Sequence, residues 1–183
     1  MNLKTLYQRN NNPGLFYDEE EETNCGSFAL NVTEWYFPYL QGAIDDDALF
    51  KYQEQEREAW VFDMLSDDYS REEVMECVIE RDFEFILKTC PWLVPIDEEE
   101  INAKDRIIAY RLSLEVPDNL DDFDMDEYSD FHFRVLVDGE WWEKNGAGPV
   151  HKVENPDIWE VDDWLVYDGP IRYAKFIDTG EEL

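Results

Sequence analysis

Apolar residues recur at helical spacing in the first half of this chain and alternate with a period of two in the second. From Asn24 to Tyr36, the residues Phe28, Ala29, Val32, Trp35 and Tyr36 share one helical face, and Pro38 would end that helix. Asp45–Ser66 predicts a second helix with a stripe of Leu49, Tyr52, Ala59, Trp60, Phe62 and Met64. Ser70-Arg71-Glu72-Glu73 sets a hydroxyl three residues before a glutamate, the pattern of a capping box, and opens a third helix. Its stripe of Val74, Cys77, Val78, Phe85 and Ile86 runs toward Cys90 and is stopped by Pro91.

The second half reads as strands. Ile107–Val116 is rich in strand formers, and Phe131–Val137 alternates as Phe, His, Phe, Arg, Val, Leu, Val. Asp138-Gly139 is a two-residue hairpin signal, with Trp141–Lys144 as the returning strand. Short runs at Val150–Val153, Trp164–Tyr167 and Ile171–Ile177 complete a small antiparallel sheet. Helices first and strands afterwards predict one α+β domain over residues 1–183, its N-terminal helices packed on the sheet and a helical segment at about 45–91 between them. Residues 1–17 read as an irregular arm ending in the Asn-Asn-Asn-Pro-Gly turn, and 18–22 as a solvated acidic run.

Composition sharpens this picture in two ways. Apolar residues make up 44% of the chain, with seven Trp, ten Tyr and eleven Phe, which argues for a packed core rather than disorder. Forty-six acidic residues against 15 basic ones leave a formal net charge of −31, so no basic face exists with which to grip nucleic acid or an anionic membrane. The acidic surface could instead attract a cationic protein, or imitate nucleic acid in a basic groove; the plainer reading is a solvated surface. No apolar run has the length of a signal peptide or a membrane span, so a cytoplasmic protein is expected. Its odd number of cysteines (Cys25, Cys77 and Cys90) is expected to be free thiols. No Cys or His pair has metal-ligand spacing, so neither a metal nor another cofactor is expected. The Asp-rich stretches at 45–47, 118–126 and 157–163 lack the order of a calcium loop; residues 121–126 read as a solvated loop or an acidic-aromatic docking segment.

Cys25 is the candidate nucleophile. It falls where a helix begins, after the N-cap expected at Asn24, where free N–H groups and the helix dipole favour a thiolate and could hold an oxyanion. Gly26 would let a substrate backbone approach closely. Cys77 and Cys90 fit the commoner fate of a buried small hydrophobe. In the strand Phe131–Val137, the Phe131/Phe133/Val135 face suits the core, which turns His132 and Arg134 to the other side. A turn at Asp138-Gly139 pairs Arg134 with Glu143 and His132 with Asn145, so that all four share one face. Glu143 or Asn145 could then orient the His132 ring, as a Cys-His-polar triad requires. The plainer reading is an exposed Arg134–Glu143 ion pair of little energetic weight. His151, beside a turn, ranks well behind His132.

Asn-Cys-Gly-Ser-Phe-Ala-Leu-Asn at 24–31, followed by Asp-Phe-His-Phe-Arg-Val-Leu-Val-Asp-Gly-Glu-Trp-Trp-Glu-Lys-Asn-Gly at 130–146, resembles small bacterial and viral (phage) proteins of the papain-like cysteine peptidase superfamily, of NlpC and CHAP type. Those proteins share the order of Cys at a helix start, His on a strand and a polar third residue on the next strand. The resemblance implies a papain-like fold, with Cys25 as nucleophile, His132 as general base and acid, and Glu143 as orienting group, where relatives carry a histidine. Gly26 stands where they usually carry an aromatic, and 45–91 has no counterpart in the pattern. The expected function is therefore a cysteine hydrolase of an amide or isopeptide bond, with a peptide or amide substrate. The alternative, resting on charge alone, is a non-enzymatic acidic phage inhibitor of the anti-restriction or anti-CRISPR type.

Overall fold

A computed structural model describes residues 24–30, 36–39, 47–146, 148–161 and 165–177. The arm, the acidic run at 18–22, residues 31–35 of the expected first helix and Trp164 lie outside the described residues. Among the described residues, four α-helices, α1 (Cys25–Leu30), α2 (Asp47–Ser66), α3 (Arg71–Thr89) and α4 (Met125–Tyr128), accompany eight strands. These are β1 (Leu93–Ile96), β2 (Ile107–Leu114), β3 (Ser129–Val137), β4 (Glu140–Lys144), β5 (Val150–Lys152), β6 (Glu160–Val161), β7 (Leu165–Val166) and β8 (Arg172–Phe176). Six of them form an antiparallel sheet in the order β1-β8-β2-β3-β4-β5, and β6 and β7 form a separate two-stranded ribbon. The expected α+β class holds.

The local signals explain the element boundaries. Ser70 Oγ accepts from the Glu73 backbone N–H while the Glu73 carboxylate accepts from the Ser70 N–H at 2.9 Å, so the capping box forms in full. Cys90 closes the last turn through its N–H to the Ile86 carbonyl, and Pro91 follows. At the β3–β4 hairpin, Asp138 (φ 52°) and Gly139 (φ 81°) both take left-handed conformations, as a type I′ turn demands. That turn sets the pairing Arg134↔Glu143, Val135↔Trp142, Leu136↔Trp141 and Val137↔Glu140, the expected register.

Elsewhere the structure corrects the sequence pattern. In α2 the inward residues are Arg57, Val61 and Leu65, whereas Tyr52 is 56% exposed and Ala59 also faces solvent. Arg57 is buried because Asp82 of α3 accepts from its Nη2 at 2.6 Å and Tyr110 of β2 donates to the same carboxylate at 2.7 Å. A charged residue thus holds the centre of a face that an apolar count assigns elsewhere. On α3, Val74, Val78 and Ile86 are buried as expected, but Cys77 is exposed and Met75, Ile79 and Phe83 take the inner face. Residues 121–126 are not a free docking segment: Asp121, Asp122 and Asp126 face solvent, but Phe123 and Met125 sit in the main core. Strand β1 carries no alternation and was not expected; it adds to the sheet edge by pairing with β8.

The sheet has two different faces. On one, α1 packs on β3 and α3 packs on β2, burying Ile108, Tyr110, Leu112, Phe133 and Val135 in the main core. On the other, Ala109 lies under Trp159 and Tyr167, from the irregular chain that follows β5. His132 and Arg134 belong to this second face, because side chains alternate along β3.

Candidate functional site

Three strands bring the polar groups of the second face together. Glu143 is their centre. Its Oε2 accepts from Arg134 Nε at 2.6 Å and lies 3.0 Å from His132 Nε2, and its Oε1 lies 3.0 Å from His151 Nε2. Arg134 goes on to donate Nη1 to the Pro156 carbonyl at 3.1 Å and Nη2 to the Ile158 carbonyl at 2.7 Å. One buried guanidinium therefore anchors both the carboxylate and the covering chain. The Arg134–Glu143 pair is not the exposed ion pair of the plainer sequence reading; both side chains are buried.

The cover is aromatic. Tyr167 stacks on the His132 ring with centroids 5.1 Å apart, Trp159 meets that ring edge-on at 6.1 Å, and the Arg134 guanidinium lies 4.2 Å from the Trp159 ring centre. Tyr167 Oη donates to Asp130 Oδ2 at 2.7 Å, and Arg111 Nε donates to the Gly169 carbonyl at 2.5 Å, pinning the far end of the cover. Only 2% of His132 remains exposed.

Burial by itself would raise the Glu143 carboxyl, but hydrogen bonds and charge from His132, and then from Arg134, outweigh it and hold the group at about 2. Glu143 is therefore a carboxylate at neutral pH, and a carboxylate only accepts. His132 Nε2 must supply the proton of their shared hydrogen bond, which leaves the lone pair of the neutral ring on Nδ1.

Cys25 opens α1 as expected, and Asn24 is its cap: Asn24 Oδ1 accepts from the Ser27 N–H at 2.9 Å and from Ser27 Oγ at 2.8 Å. Asn24 also ties α1 to the chain beyond it, donating Nδ2 to the Tyr36 carbonyl at 2.9 Å. The thiol contacts β3 beside His132, with Sγ 3.8 Å from the Phe131 carbonyl oxygen. Among the described residues no hydrogen bond joins Sγ to the His132 ring. Nor is the thiol poised as a thiolate. Burial, and then the Asp130 carboxylate, push it up to about 12, outweighing the N–H groups of Phe133, Gly26 and Cys25 itself. The helix start favours a thiolate, but desolvation of Cys25 outweighs it. The space over Gly26 is also taken: a Cβ there would stand 3.1 Å from Tyr36 Cδ1 and 3.2 Å from Phe133 Cε2, so the glycine admits this chain's own aromatics rather than a substrate.

Of the expected site residues, the structure joins His132 to Glu143 and sets Cys25 against the neighbouring backbone. Asn145 does not take the third position, since its Oδ1 is buried with no hydrogen-bond partner among the described residues. His151, ranked low from sequence, stands opposite Glu143 in the β4–β5 ladder. The Gly-Ala-Gly-Pro turn between those strands was the available signal, because a tight return there carries His151 back across Glu143. Asp130 and Tyr167 lie in segments read as the 130–146 motif and a strand, but nothing local sets them, or Trp159, beside His132. Among the described residues, no group of three or more His, Cys, Asp or Glu has the arrangement of a metal site, and no helix is long and apolar enough to cross a membrane. No family model, characterised protein or solved structure matches the chain.

Proposed function

We propose that the chain is a papain-like cysteine hydrolase of an amide or isopeptide bond, with Cys25 as nucleophile, His132 as general base and acid, and Glu143 as the group that orients the ring. The observation that carries the reading is the 3.0 Å contact between His132 Nε2 and Glu143, which leaves Nδ1 as the basic nitrogen on a strand whose backbone touches the Cys25 thiol. With its thiol neutral at rest, the protein works by proton transfer at the moment of attack rather than through a stored thiolate–imidazolium pair. The Sγ–H proton passes to Nδ1 as sulfur bonds to the substrate carbonyl carbon. The C–N bond then breaks, the same proton goes to the leaving amine, and water cleaves the thioester to release the acid. Both Cys25 and His132 are buried, and opening the His132 ring to a substrate requires the chain carrying Trp159 and Tyr167 to lift.

Site-resolved alkylation with iodoacetamide tests this. His132→Ala is expected to slow Cys25 alkylation about tenfold or more while the exposed Cys77 is unchanged. Equal Cys25 rates in parent and variant would overturn the reading.

A second reading rests on α3. Glu72, Glu76, Glu80 and Glu84 are all exposed and repeat every fourth residue, a row of like charges with a rise of about 6 Å per step. Arg172 pairs with Glu76 and approaches Glu80 at 3.8 Å, offsetting part of the repulsion. Such a row suits a cationic partner, as an acidic inhibitor of a nucleic-acid-binding protein would need. Retention of that class of protein on the immobilised chain, lost steeply as salt rises, is the expected result; salt-independent retention or none would dismiss it.

A further inference from the structure

Glu143 has one oxygen on His132 and the other on His151, and only the first belongs to the triad proposed above. His151 differs from its partners in being open to solvent, with 45% of its side chain exposed. Both of its ring nitrogens face acceptors: Nε2 is 3.0 Å from Glu143 Oε1, and Nδ1 is 3.4 Å from the Pro149 carbonyl oxygen. A doubly protonated ring satisfies both contacts at once. The position is also built. Glu143 and His151 are direct partners across β4 and β5, and Lys144 Nζ donates to the Gly148 carbonyl at 2.5 Å, fastening the turn between the strands.

We infer that His151 is a positioning residue of this site: its contact with Glu143 Oε1 turns the carboxylate so that Oε2 meets His132, and its charge state sets how strongly Glu143 holds the His132 proton. The inference rests on the hydrolase reading for its consequence in catalysis, but not for its geometry. Arg134 fixes Oε2 by itself, yet a carboxylate held at one oxygen can still swing about that contact, and His151 removes that freedom. The charged groups around the two rings are Glu143 on β4, and Arg134 and Asp130 on β3. Arg111 of β2 lies beneath the cover, with its guanidinium 5.7 Å from the Trp159 ring centre. The Lys152–Glu140 pair belongs to the alternate positions of β5 and β4, on the other face. Of these, only Glu143 touches both histidines. Protonated His151 competes with His132 for the negative charge of Glu143. Removing it should let Glu143 hold the His132 proton more tightly, so the base is freed only at higher pH.

The test uses the full chain with His151→Ala and His151→Gln, the second keeping an N–H donor without the charge. In His151→Ala, Cys25 alkylation by iodoacetamide is expected to slow about three- to tenfold at neutral pH, the scale of one ordinary hydrogen bond. Its acidic limb should move to higher pH while the melting temperature stays at the parent value. His151→Gln should recover the rate but not the parent pH profile. An unchanged rate and profile in His151→Ala would overturn the inference. So would a slower rate with an unmoved profile and no rescue by Gln, which marks a merely structural role. Nitrogen-15 spectra of the His132 imidazole across the same variants read the coupling without a reactive thiol. If Cys25 proves inert in the parent while the His132 signals still respond to His151→Ala, the hydrolase reading fails and the positioning role stands. If those signals do not respond, the positioning role fails whatever the thiol does.

Discussion

The two faces of β3 do opposite work with alternate residues of one strand. Phe131, Phe133 and Val135 look into an apolar layer: Phe133 lies edge-on to Tyr36 at 6.1 Å and packs against Tyr110 with ring centres 4.8 Å apart. Its stability comes from packing, which falls off smoothly as groups are trimmed. His132 and Arg134 look into a layer just as dry but built from charges, carbonyls and ring faces. There each group is tolerable only while its partners remain, so one loss strands several others. The apolar face holds the strand in place. The polar face gathers His132, His151 and Arg134 on one carboxylate, and its cover rests on hydrogen bonds that can be exchanged for water.

Changes on the two faces should separate these behaviours. Phe133→Ala is expected to have the largest effect, about 4 kcal/mol of lost stability by urea unfolding, because the residue is wholly buried against aromatic neighbours. Arg134→Met should cost about 3 kcal/mol, taking the charged donor from Glu143 and leaving the carbonyls of Pro156 and Ile158 without theirs. Unlike Phe133→Ala, it should also speed hydrogen exchange selectively across the Pro156–Gly169 cover. A loss spread evenly over the sheet would erase the distinction between the faces.

Two pH windows sharpen the contrast. The Glu143 carboxyl lies below its ordinary 4.5 at about 2 in the folded chain, so the unfolded chain binds the proton first as pH falls. The stability it contributes is complete above 4.5 and lost on the way down through about 2. Glu143→Gln should remove about 2 kcal/mol of that acid dependence, measured as the difference between parent and variant unfolding free energies. Glu143→Gln is also expected to slow Cys25 alkylation, by less than His132→Ala does. The Cys25 thiol behaves in the opposite sense. Raised from 9.0 to about 12, it favours the fold below 9 and gives that up as pH rises toward 12, since the unfolded chain ionises first. Between pH 9 and about pH 10 the parent should lose about 1 kcal/mol more than Cys25→Ala, the smallest of these effects.

What the sequence determined by itself was local. The Ser70–Glu73 box started α3, Pro91 ended it, and Asp138-Gly139 chose a type I′ turn, which placed Glu143 across from Arg134 and on the His132 face. Each of these depends on the conformational preferences of a few adjacent residues, so a few adjacent residues suffice to read it. Tertiary structure decided the rest. Trp159 and Tyr167 reach His132 from the two chain ends of the β6–β7 ribbon, whose docking over β3 no local pattern announces, and Arg57 replaces an apolar residue in the core because Asp82 and Tyr110, far along the chain, receive it. The state of Cys25 was decided there too. Its helix-start position favours the thiolate, but packing against β3 removes the water that an ion needs, and in a dry site desolvation outweighs a few aligned N–H groups.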